Sequence, residues 1–481
     1  MTMKKYFVSL LILTSSIVCH EQTNSPLNIA IIGLGGRAQS LLRECLKQNP
    51  AVRVLAICDD RAKECLLSHE TVKLAQSPLL PAYRTAVRDA ALYPNTQEGL
   101  KRLFAEHSNI DVVLITSPNY DHCWHLNTVL EYAADKKIFM EKPIFKNLDE
   151  FTSFDFDQTK DKSIIIGLTL RYSSMARIVA QQLQAHQQNL GALQHVKAWE
   201  RLNFGHAFTA FIMGWRRYIN LSGGLLLEKC VHDLDLSLYF IDALGIHSHE
   251  ITISTYTENR FFLTSRKPEL LDFVMHNETF HKNSFFVKAA QWQNHSWNPG
   301  NFLRNEVGAI DWQKSLDSIL AEYPEDDNFS GLNIIPDYHK LSAMLKTAQG
   351  DVGFELEVDL GGFRPKTERG QLFTFEHGTV LIDIIASKMI ITCNDGTEYE
   401  YDLQTNNTDH ADGDEYIVRS ILGRPLPNGY SMATLNDPIV KLANLMGLVS
   451  EHQALHGLEE IILKNTGINW GDQIKNTRKV E

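Results

Sequence analysis

The sequence predicts an α/β chain: a doubly wound parallel sheet in its first third, then an α/β unit with an open, mainly antiparallel sheet. Three observations predict this. Between residues 26 and 170, short apolar runs alternate with stretches of helical periodicity, the pattern of parallel strands joined by helical crossovers. Those runs end abruptly on glycine, acidic or Ser/Pro/Asn clusters, as strands do where they leave a sheet. Beyond residue 190, apolar runs follow one another across tight turns such as Gln349-Gly350-Asp351 and Asn394-Asp395-Gly396, which signals local antiparallel pairing.

The first run, Leu27 to Ile32, stops at Gly33-Leu34-Gly35-Gly36-Arg37-Ala38, after which Leu41, Leu42, Cys45 and Leu46 recur at helical spacing. A second strand, 52–58, ends in Asp59-Asp60; a third, 111–116, ends in Ser117-Pro118-Asn119. A fourth, 137–140, ends in Glu141-Lys142-Pro143, and 163–167 forms a fifth. Helices are expected over 97–106, 122–134 and 148–156. In the second unit, taken as 171–465, strands are expected at 195–202, 250–256, 352–360, 371–376, 379–385 and 388–392. Helices are expected from Val231 to Leu244, after Gly223-Gly224, and over 438–455. The stretch 265–335 has no clear period and reads as an insertion.

The 481 residues suffice for two or three domains. With 46 Lys and Arg against 58 Asp and Glu, the net charge of −12 repels phosphate backbones, so no nucleic acid partner is expected. Lys4-Lys5, the apolar 6–13 and the small residues before Cys19 read as a signal peptide over 1–22. The run falls short of the ~20 residues that span a bilayer. The expected location is therefore exported, periplasmic or membrane-attached as a lipoprotein through Cys19; the alternative is an N-terminal extension on a cytoplasmic protein. Cys45, Cys58, Cys65, Cys123, Cys230 and Cys393 show no paired or finger spacing, so neither a metal site nor a disulfide framework is expected from them.

Gly33, Gly35, Gly36, Arg37 and Ala38 form a glycine fingerprint where a strand yields to a helix, a turn that lets backbone approach a pyrophosphate. Asp59, at the end of the next strand, is placed to accept from ribose hydroxyls and to repel a 2′-phosphate. These residues favour NAD over NADP, although Arg37 or Arg61 could neutralise a phosphate. Ser117, Pro118, Asn119, His122, Glu141 and Lys142 stand at the strand ends where such sheets bind ligands, and complete the expected cofactor-binding set. Lys142 can also donate to a substrate hydroxyl. Glu228 and His232 are four apart and share a helical face with Asp235. That spacing suits a carboxylate-oriented base, a metal pair or a structural polar pair.

Together these elements resemble the glucose-fructose oxidoreductase and inositol dehydrogenase family, Gfo/Idh/MocA. The resemblance lies in the Gly33 to Arg37 turn, Ser117-Pro118-Asn119 with His122, Glu141-Lys142-Pro143, Arg171-Tyr172, Ser222-Gly223-Gly224 and Glu228 to Asp235. It implies a Rossmann domain, a nicotinamide cofactor, a sugar, cyclitol or related polyol as substrate, and a dimer or tetramer. It also implies that Lys142 and His232 are catalytic, with Glu228 standing where many members have aspartate. By the same resemblance Arg171, Tyr172 and Asp235 shape the substrate pocket, with Trp215 and Arg216-Arg217 as further candidates. Two other functions fit the same motifs. One is an NAD-dependent glycosidase or lyase working by transient oxidation and elimination. The other is a cofactor- or sugar-binding protein without turnover.

Overall fold

The computed structural model describes residues 26–70, 74–278, 311–323, 325, 333–403 and 411–464. The expected signal peptide and Cys19 lie outside them. Six strands, β1 (Leu27–Ile32), β2 (Val52–Cys58), β3 (Ala91–Tyr93), β4 (Val112–Ile115), β5 (Lys137–Met140) and β6 (Ile164–Ile166), pair in the order β3-β2-β1-β4-β5-β6. Every adjacent pair is parallel. Because helices cover both faces, the central strands are apolar without alternation: Val112, Val113, Leu114 and Ile115 are all buried. Strand order reverses between β1 and β4, and the loops there diverge to leave a crevice at the C-terminal edge.

The second sheet contains β7 (Leu193–Arg201), β8 (Ser248–Glu258), β9 (Tyr338–Thr347), β10 (Gly350–Asp359), β11 (Glu368–Phe375), β12 (Gly378–Asp383), β13 (Lys388–Cys393), β14 (Glu398–Asp402) and β15 (Ile461–Lys464). Their order is β14-β13-β12-β11-β7-β10-β9-β8-β15, antiparallel except for the parallel pair of β7 with β10. Burial alternates along β7, where Val196, Ala198 and Glu200 point inward. Helices Leu225–Ala243 and Pro438–His456 pack on each other and on this sheet. Among the described residues no helix is long and apolar enough to cross a membrane.

The helix expected from Val231 in fact begins at Leu225. Gly223 and Gly224 hold φ of +90° and +99°, a backbone that only glycine adopts freely, so the chain turns sharply and enters the helix at once. Glu228 thus lies in the first turn rather than on an extended approach. Helices Ala62–Ser68, Leu80–Val87, Ser174–Leu190 and Ala411–Ile421, and strands β3, β9, β14 and β15, were not anticipated. Within the expected insertion, the described residues include two helices, Lys267–His276 and Trp312–Leu320. Phe273 of the first stacks on Phe363 at 4.2 Å between ring centres, so this part packs onto the second unit.

Candidate active site

The glycine turn and the end of β4 are pressed together. Gly33 has φ +84°, and a Cβ there would lie 2.4 Å from the Ser117 Cα, so no other residue fits. Gly35 is different: a Cβ would meet nothing within 4 Å, so packing does not require glycine there. It stands directly before the helix Gly36–Gln48, whose first N–H groups have no partner within the helix. Open backbone at a helix start fits a dinucleotide pyrophosphate. Asp59 accepts from the Leu34 and Arg61 amides, both at 2.7 Å, and so fastens the turn to the end of β2. Ala38 is fully buried, as close packing of this helix on the sheet demands.

Arg37, expected among the cofactor contacts and considered as a phosphate neutraliser, is instead a brace. Its Nε lies 2.5 Å from Glu141 Oε1, and its Nη1 lies 2.6 and 2.7 Å from the two oxygens of Asp414. A half-buried guanidinium takes the carboxylates within reach, and these two tie the glycine turn to the end of β5 and to the helix Ala411–Ile421. Glu141 is correspondingly a scaffold residue. His122 is buried, with Nδ1 2.6 Å from the Pro143 carbonyl and Nε2 2.8 Å from the Ser117 carbonyl. It ties together the two strand-end loops from behind rather than facing a ligand. Pro118 precedes the first residue of the helix Asn119–Tyr132.

Lys142 and Glu228 meet although 86 residues separate them. The Lys142 ammonium donates to the Glu228 carbonyl oxygen and lies 3.4 Å from Glu228 Oε2. The same carboxylate accepts from Arg216 Nε at 2.6 Å and Asn119 Nδ2 at 2.6 Å. Burial opposes ionisation of Glu228, yet Lys142 and Arg216 outweigh it and hold the carboxyl down to about 2. Burial pushes the Lys142 ammonium below its ordinary value, against the pull of Glu228. Glu228, expected chiefly to orient His232, is thus the hub of an ionic cluster that joins the strand ends of the first sheet to the helix Leu225–Ala243. His232 follows one helical turn later and is buried.

Trp215 meets Tyr120 edge to face at 5.7 Å, and the Arg216 guanidinium lies 4.8 Å above its ring, so Trp215 stands beside the cluster. Arg171, Tyr172 and Asp235, expected at the pocket wall, are interior instead. Arg171 makes a forked ion pair with Asp235 and another with Asp437, and its side chain is 0% exposed. The Tyr172 hydroxyl donates to the Ala433 carbonyl and accepts from its amide. Their polar atoms are spent on scaffold. Arg217 likewise pairs with Glu322 at 3.0 Å.

Other residues near the cluster were missed in the sequence. His206 lies in the field of Lys229, Arg216, Arg369 and Lys142; burial first, then these cations, hold its imidazole well below the ordinary value. Glu200, Cys230 and Asp233 bring potential metal ligands together. Their cations come from the chain, however: Arg369 forks onto Asp233 at 2.8 and 2.7 Å, and Lys229 lies 3.0 Å from Glu200. Glu451 reaches from the Pro438–His456 helix to accept from the Leu226 amide at 2.6 Å. A Cβ on Gly224 would lie 2.1 Å from its Cδ. No short motif announces these residues, because their partners lie far away in sequence.

Burial raises the Glu451 carboxyl to about 8, against the stabilising Leu226 and Leu227 amides. Nearby His339, 3.5 Å away, is held neutral by burial, at about 3. The ordinary glutamate value is about 4.3, so between about 4.3 and 8 Glu451 itself binds more proton in the folded state than in the unfolded one. Its contribution to stability therefore falls as pH rises from about 4.3 towards 8 and levels off above, while buried neutral His339 works in the opposite direction below its ordinary value of about 6.5. Glu451→Gln keeps the acceptor without the ionisation, so the stability difference between wild type and this variant should follow the decline of that one contribution across pH. Melts with an equal pH slope in both proteins would refute the assignment.

Residues 27–168 match the family model GFO_IDH_MocA, described as an oxidoreductase family with an NAD-binding Rossmann fold. No curated protein sequence matches the chain. Among solved structures, it is similar to an oxidoreductase from Sinorhizobium meliloti, at 10% identity over 91% of this chain and 99% of that one, TM-score 0.54. It is similar to a levoglucosan dehydrogenase in complex with NADH and levoglucosan, at 12% identity over 91% and 99%, TM-score 0.54. A super-repressor mutant of Gal80p from Saccharomyces cerevisiae aligns at 13% identity over 92% and 98%, TM-score 0.54. These likenesses establish the fold, a parallel Rossmann sheet followed by a mostly antiparallel one, and the model that the first sheet matches describes an NAD-binding Rossmann fold.

Proposed function

We propose that this chain, whose residues 27–168 match the model of an oxidoreductase family with an NAD-binding Rossmann fold, oxidises or reduces a hydroxyl-bearing ring carbon of a sugar, cyclitol or related polyol. One observation carries the reading: Lys142, two residues past the end of β5, and the first turn of the His232 helix meet through Glu228 at the C-terminal edge of the parallel sheet. A bound nicotinamide would supply the hydride acceptor or donor. Gly33, Gly35, Gly36 and Asp59 are the residues to hold the dinucleotide, and the Asp59 carboxylate favours NAD, since it repels a 2′-phosphate.

The chain's own residues supply the acid and base work. Lys142 polarises the substrate oxygen, where its ammonium offsets the charge that develops as the hydroxyl loses its proton. Glu228 holds that ammonium in place without competing for its proton, because its carboxyl stays ionised down to about pH 2. His232 takes the hydroxyl proton as a general base. Trp215 offers an aromatic face beside the cluster for a sugar ring.

Small molecules released on denaturation identify the cofactor, and a screen of polyols and glycosides read at the NADH absorbance band and by product analysis identifies the reaction. NADH growth on a polyol supports the proposal. Glycoside cleavage without net NADH points to transient oxidation and elimination instead. His232→Ala is expected to lower turnover at least about tenfold, since a positioned base is worth roughly 10²–10⁴-fold, with NAD affinity near wild type. Unchanged turnover would remove His232 from the mechanism.

A further inference from the structure

The helix Asn119–Tyr132 carries a second histidine that the proposed chemistry leaves unused. His125 is buried, its Nδ1 2.8 Å from Ser117 Oγ and its Nε2 2.7 Å from Asn95 Oδ1. Asn95 donates from Nδ2 to Asp121 Oδ2 at 3.0 Å, and the Trp124 indole donates to the other oxygen at 2.8 Å. A carboxylate only accepts, so Asp121 requires the nitrogen of Asn95 and turns its oxygen towards His125. That oxygen also only accepts, which puts the imidazole hydrogen on Nε2 and leaves Nδ1 bare. Ser117 must therefore give its hydroxyl hydrogen to Nδ1. Its oxygen retains lone pairs and no hydrogen for any other partner.

The position of this serine matters. Ser117 follows β4 where the strand order reverses, against Gly33 of the glycine turn. The Asn95 amide donates to Asp60 Oδ1 at 2.8 Å, so one network runs along the sheet edge from the end of β2 to the end of β4. Burial, with His122 nearby, pushes the His125 imidazole down to about 3. The direction of the chain of bonds therefore holds at neutral pH.

We propose that His125, oriented by Asn95 and Asp121, is a positioning residue that makes Ser117 a pure hydrogen-bond acceptor on the floor of the dinucleotide crevice. This inference rests on the nicotinamide reading above. A hydroxyl free to rotate accepts phosphate and alcohol alike, whereas a hydroxyl already donating refuses phosphate oxygens, which only accept. The donors that a nicotinamide dinucleotide carries are its ribose hydroxyls, its carboxamide nitrogen and the amine of its adenine, and this point of the wall selects one of them. The pyrophosphate is left to the amides of the glycine turn.

Nitrogen-15 NMR of the histidine rings, with the His125 signal assigned by its loss in His125→Phe, reads the tautomer directly in the cofactor-free chain. A protonated Nε2 with a bare Nδ1 is expected, and a protonated Nδ1 would overturn the inference. Titration of NAD⁺ by calorimetry reads the consequence. Ser117→Ala is expected to weaken binding roughly tenfold, the scale of one lost hydrogen bond, whereas Ser117→Thr restores it. His125→Phe, with an unchanged melting temperature as the control on folding, should weaken binding several-fold. Wild-type binding with an unaffected Ser117→Ala variant would overturn this inference alone. Absence of NAD⁺ binding by the wild type would overturn the nicotinamide reading and this inference with it.

Discussion

Lys142→Met is expected to lower turnover by about 10²–10⁴-fold while leaving NAD binding within a few-fold of wild type and the melting temperature little changed. Methionine keeps the unbranched stem and removes only the ammonium, so the loss isolates charge from volume. Folding tolerates the change because Glu228 retains Arg216 at 2.6 Å and Asn119 at 2.6 Å as partners. Rate suffers because the oxygen that gains charge during proton loss then lacks the ammonium that would offset it. The kinetic signature separates this role from substrate binding: kcat and kcat/KM should fall together, whereas a rise in KM alone would make Lys142 a ground-state contact. A variant that turns over at wild-type rate would dismantle the proposed site.

How far the fold could be read from the residues depended on the kind of signal each element carries. The parallel sheet was legible because a strand buried on both faces must be apolar throughout, as Val112 to Ile115 are. Its end-points were legible because glycine and proline punctuate them. Strand β9 was not, because it starts directly after the unread stretch and its buried positions include the polar His339 and Thr347 while Met344 is exposed, which blurs the apolar alternation. Of the site, Lys142 and Glu228 could be named from motifs, but their meeting is tertiary information. Arg37, Arg171 and Asp235 show the converse. Each stands in a motif that suggests ligand contact, and each is consumed by a carboxylate or guanidinium from a distant segment. Sequence patterns reveal which groups are charged, whereas which charges cancel is decided by packing.

That cancellation makes Arg171 the most sensitive position for stability. Arg171→Met is expected to cost about 3–5 kcal/mol and to lower the melting temperature by roughly 10 °C. The guanidinium is enclosed, and it forks onto Asp235 while also holding Asp437. Asp437 keeps a partner when arginine is lost, because its Oδ1 caps the Pro438–His456 helix through the Ile439 amide at 2.8 Å. Among the described residues Asp235 keeps no comparable cation, and its 1% exposed side chain gives water no access to replace one. Adding Asp235→Leu to Arg171→Met should therefore recover much of the loss, since the penalty belongs to the stranded charge rather than to a missing attraction. If the double variant is no more stable than the single one, the cost lies in packing volume instead. The consequence reaches the site, because Asp235 lies on the helix that presents Glu228 and His232 and Arg171 follows β6 of the first sheet. Assayed well below its melting temperature, Arg171→Met should still lose turnover as the helix carrying Glu228 and His232 loosens from the sheet that leads to Lys142, while the double variant regains stability without regaining full rate.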